Sequence, residues 1–153
     1  MSDTLTSDAG PQANLGYLFR LAHQRFRATL EDALQDLGLS AQEYGVLSVF
    51  ETRSELSTSE LARITQVTRQ TMHAAVLELE TAGLIERRPK NRRVVLVRPT
   101  KRGRATLAAA TDRVRSVERG ALAGLSDTEE RVVRTWLATV AAGTTTTPHA
   151  KAQ

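Results

Sequence analysis

Nine cations crowd one short stretch of this chain. Between Leu84 and Arg104 lie Arg87, Arg88, Lys90, Arg92, Arg93, Arg98, Lys101, Arg102 and Arg104 against the single acid Glu86. That segment nets +8, and the rest of the 153 residues net −4 within a total of +4. A solvated face without a partner mixes its charges, so this segregation points to a polyanion, nucleic acid first. Other chemistry is poorly supplied. His23, His73 and His149 fall on three separate elements, and no Gly-x-Ser-x-Gly, phosphate loop or paired-carboxylate pattern accompanies them, which argues against an enzyme. The absence of cysteine removes disulfides, thiolate zinc sites, iron–sulfur clusters and a thiol nucleophile. His23 has no second ligand at metal spacing, so neither metal nor cofactor is expected.

Positioning those cations falls to a helix-rich scaffold. Apolar residues make up 41% and aromatics only 4%, so the core is mostly Leu, Ala and Val. Gly aside, no apolar run exceeds four residues, and Met1-Ser-Asp-Thr4 lacks a basic start. Neither a membrane span nor a secretion signal is expected, and the expected location is cytoplasmic. Asn14 can cap a long helix with Leu15, Leu18, Ala22, Phe26, Leu30, Ala33, Leu34 and Leu37 at helical spacing, ending at Gly38. At roughly 34 Å it is too long for one small domain to cover. Ser40-Ala-Gln-Glu43 and Ser57-Thr-Ser-Glu60 are capping boxes with hydrophobic staples Leu39–Tyr44 and Leu56–Leu61. The second opens a short helix, Thr58–Ile64, and Thr68 then caps another with Met72, Ala75, Val76 and Leu79 as its buried stripe, closed by Gly83. Two helices joined by about three residues form a helix-turn-helix. Leu84–Arg88 and Val94–Arg98 are β-prone, with Pro89-Lys-Asn-Arg92 as the turn, which makes a wing. Thr100 caps a helix with a seam of Leu107, Ala110, Val114, Val117 and Ala121, and Ser126-Asp-Thr-Glu129 boxes a last one with Val133, Trp136, Leu137 and Val140.

This order resembles the MarR family of winged-helix transcription regulators, from about Asn14 to Ala142. The resemblance rests on Ser59 to Met72, on Leu79-Glu80, Gly83-Leu-Ile-Glu-Arg87 and Arg92-Arg93, and on Thr100-Lys-Arg-Gly103. It implies a mainly α fold with a small β-hairpin: a tail over 1–13, a dimerisation helix over 14–38, a winged helix-turn-helix over 39–100, dimerisation helices over 101–142 and a tail over 143–153. It also implies a homodimeric repressor on a palindromic double-stranded operator, the two recognition helices about one DNA turn apart, ~34–36 Å. The chain departs from the family where a wing acid is usual, at Arg88 and Asn91. It departs again in the middle of the recognition helix, where Ala74 and Glu78 replace the usual cation.

Thr68, Arg69, Gln70, Thr71, His73 and Ala74 are the expected DNA contacts of the recognition helix, and Arg88, Lys90, Asn91, Arg92 and Arg93 those of the wing. Leu15, Leu18, Leu125, Val133, Trp136, Leu137 and Val140 are the expected dimer interface. Tyr17, Arg20, His23, Arg27 and Tyr44 are candidates to hold a small aromatic or anionic effector in the crevice that the resembled family uses. The competing reading keeps the fold without operator readout, as a non-specific DNA binder or a partner of another regulator.

Overall fold

The computed structural model describes residues 14–143. Apart from Gly143, the tails expected at 1–13 and 143–153 lie outside the described residues. The chain forms two compact units that part between Val117 and Glu118. In order, its elements are α1 (Leu15–Leu34), α2 (Ala41–Ser48), β1 (Leu56–Ser57), α3 (Thr58–Thr65), α4 (Arg69–Thr81), β2 (Ile85–Pro89), β3 (Val95–Pro99), α5 (Lys101–Ala121) and α6 (Asp127–Ala141).

Local chemistry sets the helix starts. Asn14 Oδ1 accepts the Tyr17 amide at 3.1 Å. In all three capping boxes the Ser hydroxyl accepts the N3 amide, and the Glu takes back the Ser40, Ser57 or Ser126 amide at 2.7, 2.8 and 2.8 Å. Each such cap contributes about 1 kcal/mol. The first helix differs from expectation in its last turn, which tightens to a 3-10 segment over Gln35–Leu37 before Gly38. A helix end commonly tightens this way to satisfy its final carbonyls.

In the first unit, α2, α3 and α4 pack around Val46, Leu47, Leu61, Met72, Val76 and Leu79, with Leu34 and Val97 added from α1 and the sheet. The sheet has three antiparallel strands in the order β1–β3–β2, with Leu56 opposite Val97, Ile85 opposite Pro99 and Pro89 opposite Val95. The expected hairpin is therefore correct but incomplete, and each of its strands sits one residue later than its pattern suggests. Strand β1 has only two residues, too few for alternation to mark, and both carry a second signal: Leu56 as a core residue and Ser57 as a helix cap.

One junction ties these parts together. Helix α4 ends on Gly83 at φ 69, where the Gly83 amide donates to Glu80 O and the Leu84 amide to Leu79 O, both at 2.9 Å. The Leu84 carbonyl then accepts the Thr100 amide at 3.0 Å. The Thr100 hydroxyl donates to Gly83 O at 2.8 Å and accepts the Gly103 amide at 2.9 Å, capping α5. Helix α5 crosses so close that a Cβ on Gly103 would stand 1.8 Å from Leu84 O. Beyond it Leu107, Ala110 and Val114 are buried, Val117 is half-buried and Ala121, the end of the expected seam, is exposed.

In the second unit, Arg134 Nε donates to Glu130 at 2.7 Å and its Nη2 to Glu118 at 3.3 Å. No described residue of α6 is buried, and Val132, Trp136 and Leu137 are all exposed.

Substituting Gly103→Ala forces α5 off the Leu84 backbone, because the obstructing atom is a carbonyl and not a flexible side chain. The expected loss is about 1–3 kcal/mol or more, as for overpacked cores. Urea denaturation checks it, and a midpoint equal to wild type contradicts the close approach.

Candidate nucleic-acid interface

Helix α3 runs one residue past expectation to Thr65, and Gln66 then turns the chain at φ 56. Half-buried Val67 packs against the core, and Thr68 caps α4 by accepting the Thr71 amide at 3.1 Å, its hydroxyl 2.8 Å from that of Thr71. Burial of Met72, Ala75, Val76 and Leu79 turns the other side of α4 outward. Arg69, His73 and Leu77 form one exposed i, i+4 row, and Gln70, Ala74 and Glu78 a second. A hollow of about 390 Å³ flanks the first row, lined by Ser59, Glu60, Ala62, Arg63, Val67 and Arg69. Another of about 370 Å³ flanks the second, lined by Ser40, Gln42, Glu43, Gln70, Thr71, Ala74, Ala75 and Glu78. The sequence candidates Arg69, Gln70, Thr71, His73 and Ala74 thus share one end and one side of α4. Arg63 beside Arg69 was not among them, because a cation in the last turn of a short helix already has a reason to be there in the helix dipole.

The wing's cations separate into two groups. Arg87 Nε donates to Glu80 Oε2 at 2.8 Å and its Nη2 reaches the same oxygen. Arg98 Nε donates to Glu86 at 2.5 Å, and Arg88 lies 3.9 Å from Glu55. Lys90 forms no ion pair within 4 Å among the described residues, but its charge is felt by the Glu60 carboxyl. Arg92 and Arg93 have no acidic partner among the described residues. Asn91 sits at the turn, its Oδ1 accepting the amides of Arg93 at 2.8 Å and Val94 at 2.9 Å. Two of the five wing candidates, Arg88 and Asn91, therefore already have partners within the chain.

Along α1, the Arg20 guanidinium stands 5.1 Å from the centre of the Tyr17 ring. His23 is exposed, Arg27 lies 3.5 Å from Glu31, and Tyr44 on α2 packs against the core. Neither hollow is lined by these residues. Of the expected interface residues Leu15, Leu18, Leu125, Trp136 and Leu137 are exposed, at 42–56%, and Val133 and Val140 are half-buried. Among the described residues no group of three or more His, Cys, Asp or Glu could hold a metal, and no helix is long and apolar enough to cross a membrane.

A family model described as MarR family matches residues 37–93, which take in the helix-turn-helix, β2 and the turn of the wing. The HTH-type transcriptional repressor Rv2887 of Mycobacterium tuberculosis is 34% identical over 121 residues, covering 78% of this chain and 87% of that protein. The chain belongs to the MarR family. It is a transcription regulator and not an enzyme. Solved structures agree on the fold. A MarR-family regulator from Rhodococcus sp. RHA1 superposes with a TM-score of 0.80 at 24% identity, covering 88% of this chain and 96% of that one. Rv2887 in complex with DNA gives 0.67 at 32% identity (87% and 98%), and in complex with salicylic acid 0.66 at 32% (89% and 99%).

Several carboxylates of this MarR-family chain titrate below their usual range. The Arg87 hydrogen bond holds Glu80 down, the Arg113 hydrogen bond does the same for Asp36, and the Ser57 hydroxyl and amide for Glu60, helped by Arg63 and Lys90. A depressed carboxyl contributes stability that is present above the unfolded values, ~4.3 for Glu and ~3.9 for Asp, and lost as pH falls through the folded value. The thermal midpoint should accordingly drop below about pH 4 and drop less in a Glu80→Gln, Asp36→Asn double variant. Equal acid sensitivity in the two proteins would contradict this assignment.

Proposed function

We propose that the protein is a homodimeric repressor of a palindromic operator. The observation that carries this reading is the division of α4 into a buried stripe and an exposed row beginning at its capped N-terminus, beside a wing whose Arg92 and Arg93 have no acidic partner among the described residues. Rv2887, named a repressor and solved with DNA, supports it from outside the chain. In this mode Thr68 and Thr71 meet phosphate, and Arg69, Gln70, His73 and Ala74 approach base edges in the major groove. Arg92 enters the minor groove, where a guanidinium suits the narrow negative channel, with Arg93 and Lys90 on flanking phosphates. Asn91 and Arg88 shape the wing. Leu15, Leu18, Leu125, Trp136 and Leu137 are covered by the second copy, so that two half-sites ~34–36 Å apart are engaged together. Such a regulator works in the cytoplasm, on chromosomal DNA.

The effector is an aromatic acid. Support comes from the Arg20–Tyr17 pair, which offers a cation beside a ring, and from salicylic acid in the Rv2887 structure. Because Arg27 is already engaged by Glu31, Arg20 is the cation available to a carboxylate on this face. The ligand acts by favouring a spacing of the recognition helices that no longer matches one DNA turn.

Arg92→Ala is expected to weaken operator binding tenfold or more, about 1–3 kcal/mol per chain, with a shallower salt dependence. Gln70→Ala and His73→Ala should relax discrimination at particular base positions, read by binding to single-base operator variants. Equal binding by wild type to the operator and to random DNA at one salt concentration would favour the non-specific reading instead. For the effector, salicylate should raise the thermal midpoint and release operator DNA, and Arg20→Ala should abolish both effects. Release undiminished in that variant places the ligand elsewhere.

A further inference from the structure

Glu80 is oddly placed for a DNA-binding protein. It lies in the last turn of α4, where the helix dipole disfavours a carboxylate, and on the helix proposed to approach a polyanion. On electrostatic grounds alone its removal should improve both. Yet its pair with Arg87 is the best shielded of the described ion pairs, with side-chain exposures of 34% and 32%, and it joins α4 to the middle of β2. Backbone hydrogen bonds hold β2 to the end of α4 at the Leu84 junction and, along its length, to β3, which is in turn paired with β1. Arg87 lies three residues farther along, on the way to the tip that carries Arg92 and Arg93, so its pair with Glu80 ties the middle of β2 directly to α4, which the sheet pairing does not.

We infer that Glu80 is a positioning residue for DNA binding: by gripping Arg87 it fixes the direction of the wing relative to α4, so that the exposed α4 face and the Arg92–Arg93 tip reach one duplex together. This rests on the DNA-binding reading above. Arg87 then spends its charge inside the protein, and the wing's affinity comes from the cations beyond it.

The test uses the full chain and the duplex that wild type selects from a random pool. Glu80→Gln raises the net charge by one, yet should bind tenfold or more weaker. Its log K against log salt slope should be shallower by about 0.9 for each phosphate that the wing no longer neutralises. Hydroxyl-radical protection should disappear on the stretch flanking the half-site and persist within it. The exchanged pair, Glu80→Arg with Arg87→Glu, has the wild-type net charge and should recover affinity, slope and protection. If Glu80→Gln does not fold, Arg87→Lys, which keeps the charge but loses the two-donor fork, should show the same shallower slope. Wild-type affinity and slope in the folded variant, or an exchanged pair no better than Glu80→Gln, overturns the inference alone. A wild-type protein that selects no sequence overturns the DNA reading and the inference with it.

Discussion

The Leu84 carbonyl is the point on which the first unit depends. It accepts the Thr100 amide and lies under the Gly103 backbone, so the end of α4, the start of β2, the end of β3 and the start of α5 meet within a few ångströms. No side chain could replace glycine at 103 without moving one of them. The consequence is mechanical. A displacement of the first turns of α5 cannot be absorbed by a hinge at this place, because the segments entering it are hydrogen-bonded to one another. The end of α4 and the root of the wing are thereby tied to the start of α5, which in the proposed dimer lets the separation of the two winged helices respond to events elsewhere.

Charge is organised around the same frame. Read along the chain, Leu84–Arg104 is a block of +8. Folded, it meets Glu80 from α4, Glu55 from the loop before β1 and the field of Glu60 from α3, while Glu86 faces Arg98 across the hairpin. Exposed pairs of this kind contribute little to stability, about 0–1 kcal/mol each. Their effect is geometric: they engage Arg87, Arg88 and Arg98 along the strands, while Lys90, Arg92 and Arg93 at the hairpin turn and Lys101, Arg102 and Arg104 at the start of α5 have no acidic partner within 4 Å among the described residues. A cation at the tip projects farthest from the protein's own low-dielectric body and its acids, where it is most available to a phosphate or a groove.

What was legible in the sequence was local. The capping boxes at Ser40, Ser57 and Ser126, the stripe Met72–Ala75–Val76–Leu79 and the cap at Thr68 each need only a few consecutive residues, and each stands where the pattern puts it. The outward facing of Arg69, Gln70, His73 and Ala74 was legible for the same reason, since burying one stripe decides what is exposed. What escaped was non-local. Strand β1 is defined by a partner about forty residues away, the Arg88–Glu55 and Arg87–Glu80 pairs by the fold that brings them together, and the role of Gly103 by a backbone approach that no periodicity encodes. Asn91 lies between these cases. An Asn followed by two residues and a strand is a turn signal, but within a run of cations it reads first as one more polar contact.

The departures at Ala74 and Glu78 follow from this division of charge. A recognition helix with cations along its middle gains affinity for any sequence, because phosphates are everywhere on a duplex. Here the exposed rows of α4 carry Arg69 in the first turn, then Gln70, His73 and Ala74, with an acid at Glu78. In the proposed mode Ala74 would let the backbone come close, as a longer side chain would not. In that mode Glu78 penalises any docking that slides the helix lengthwise toward phosphate, and so restricts the register in which Gln70 and His73 would meet base edges. In the proposed mode affinity is carried by the wing tip and discrimination by the hydrogen-bonding side chains of Gln70 and His73. Wrong sequences then keep the wing's attraction but lose the pairing of Gln70 and His73, and leaving those groups unpaired at a base edge is what separates operator from random DNA.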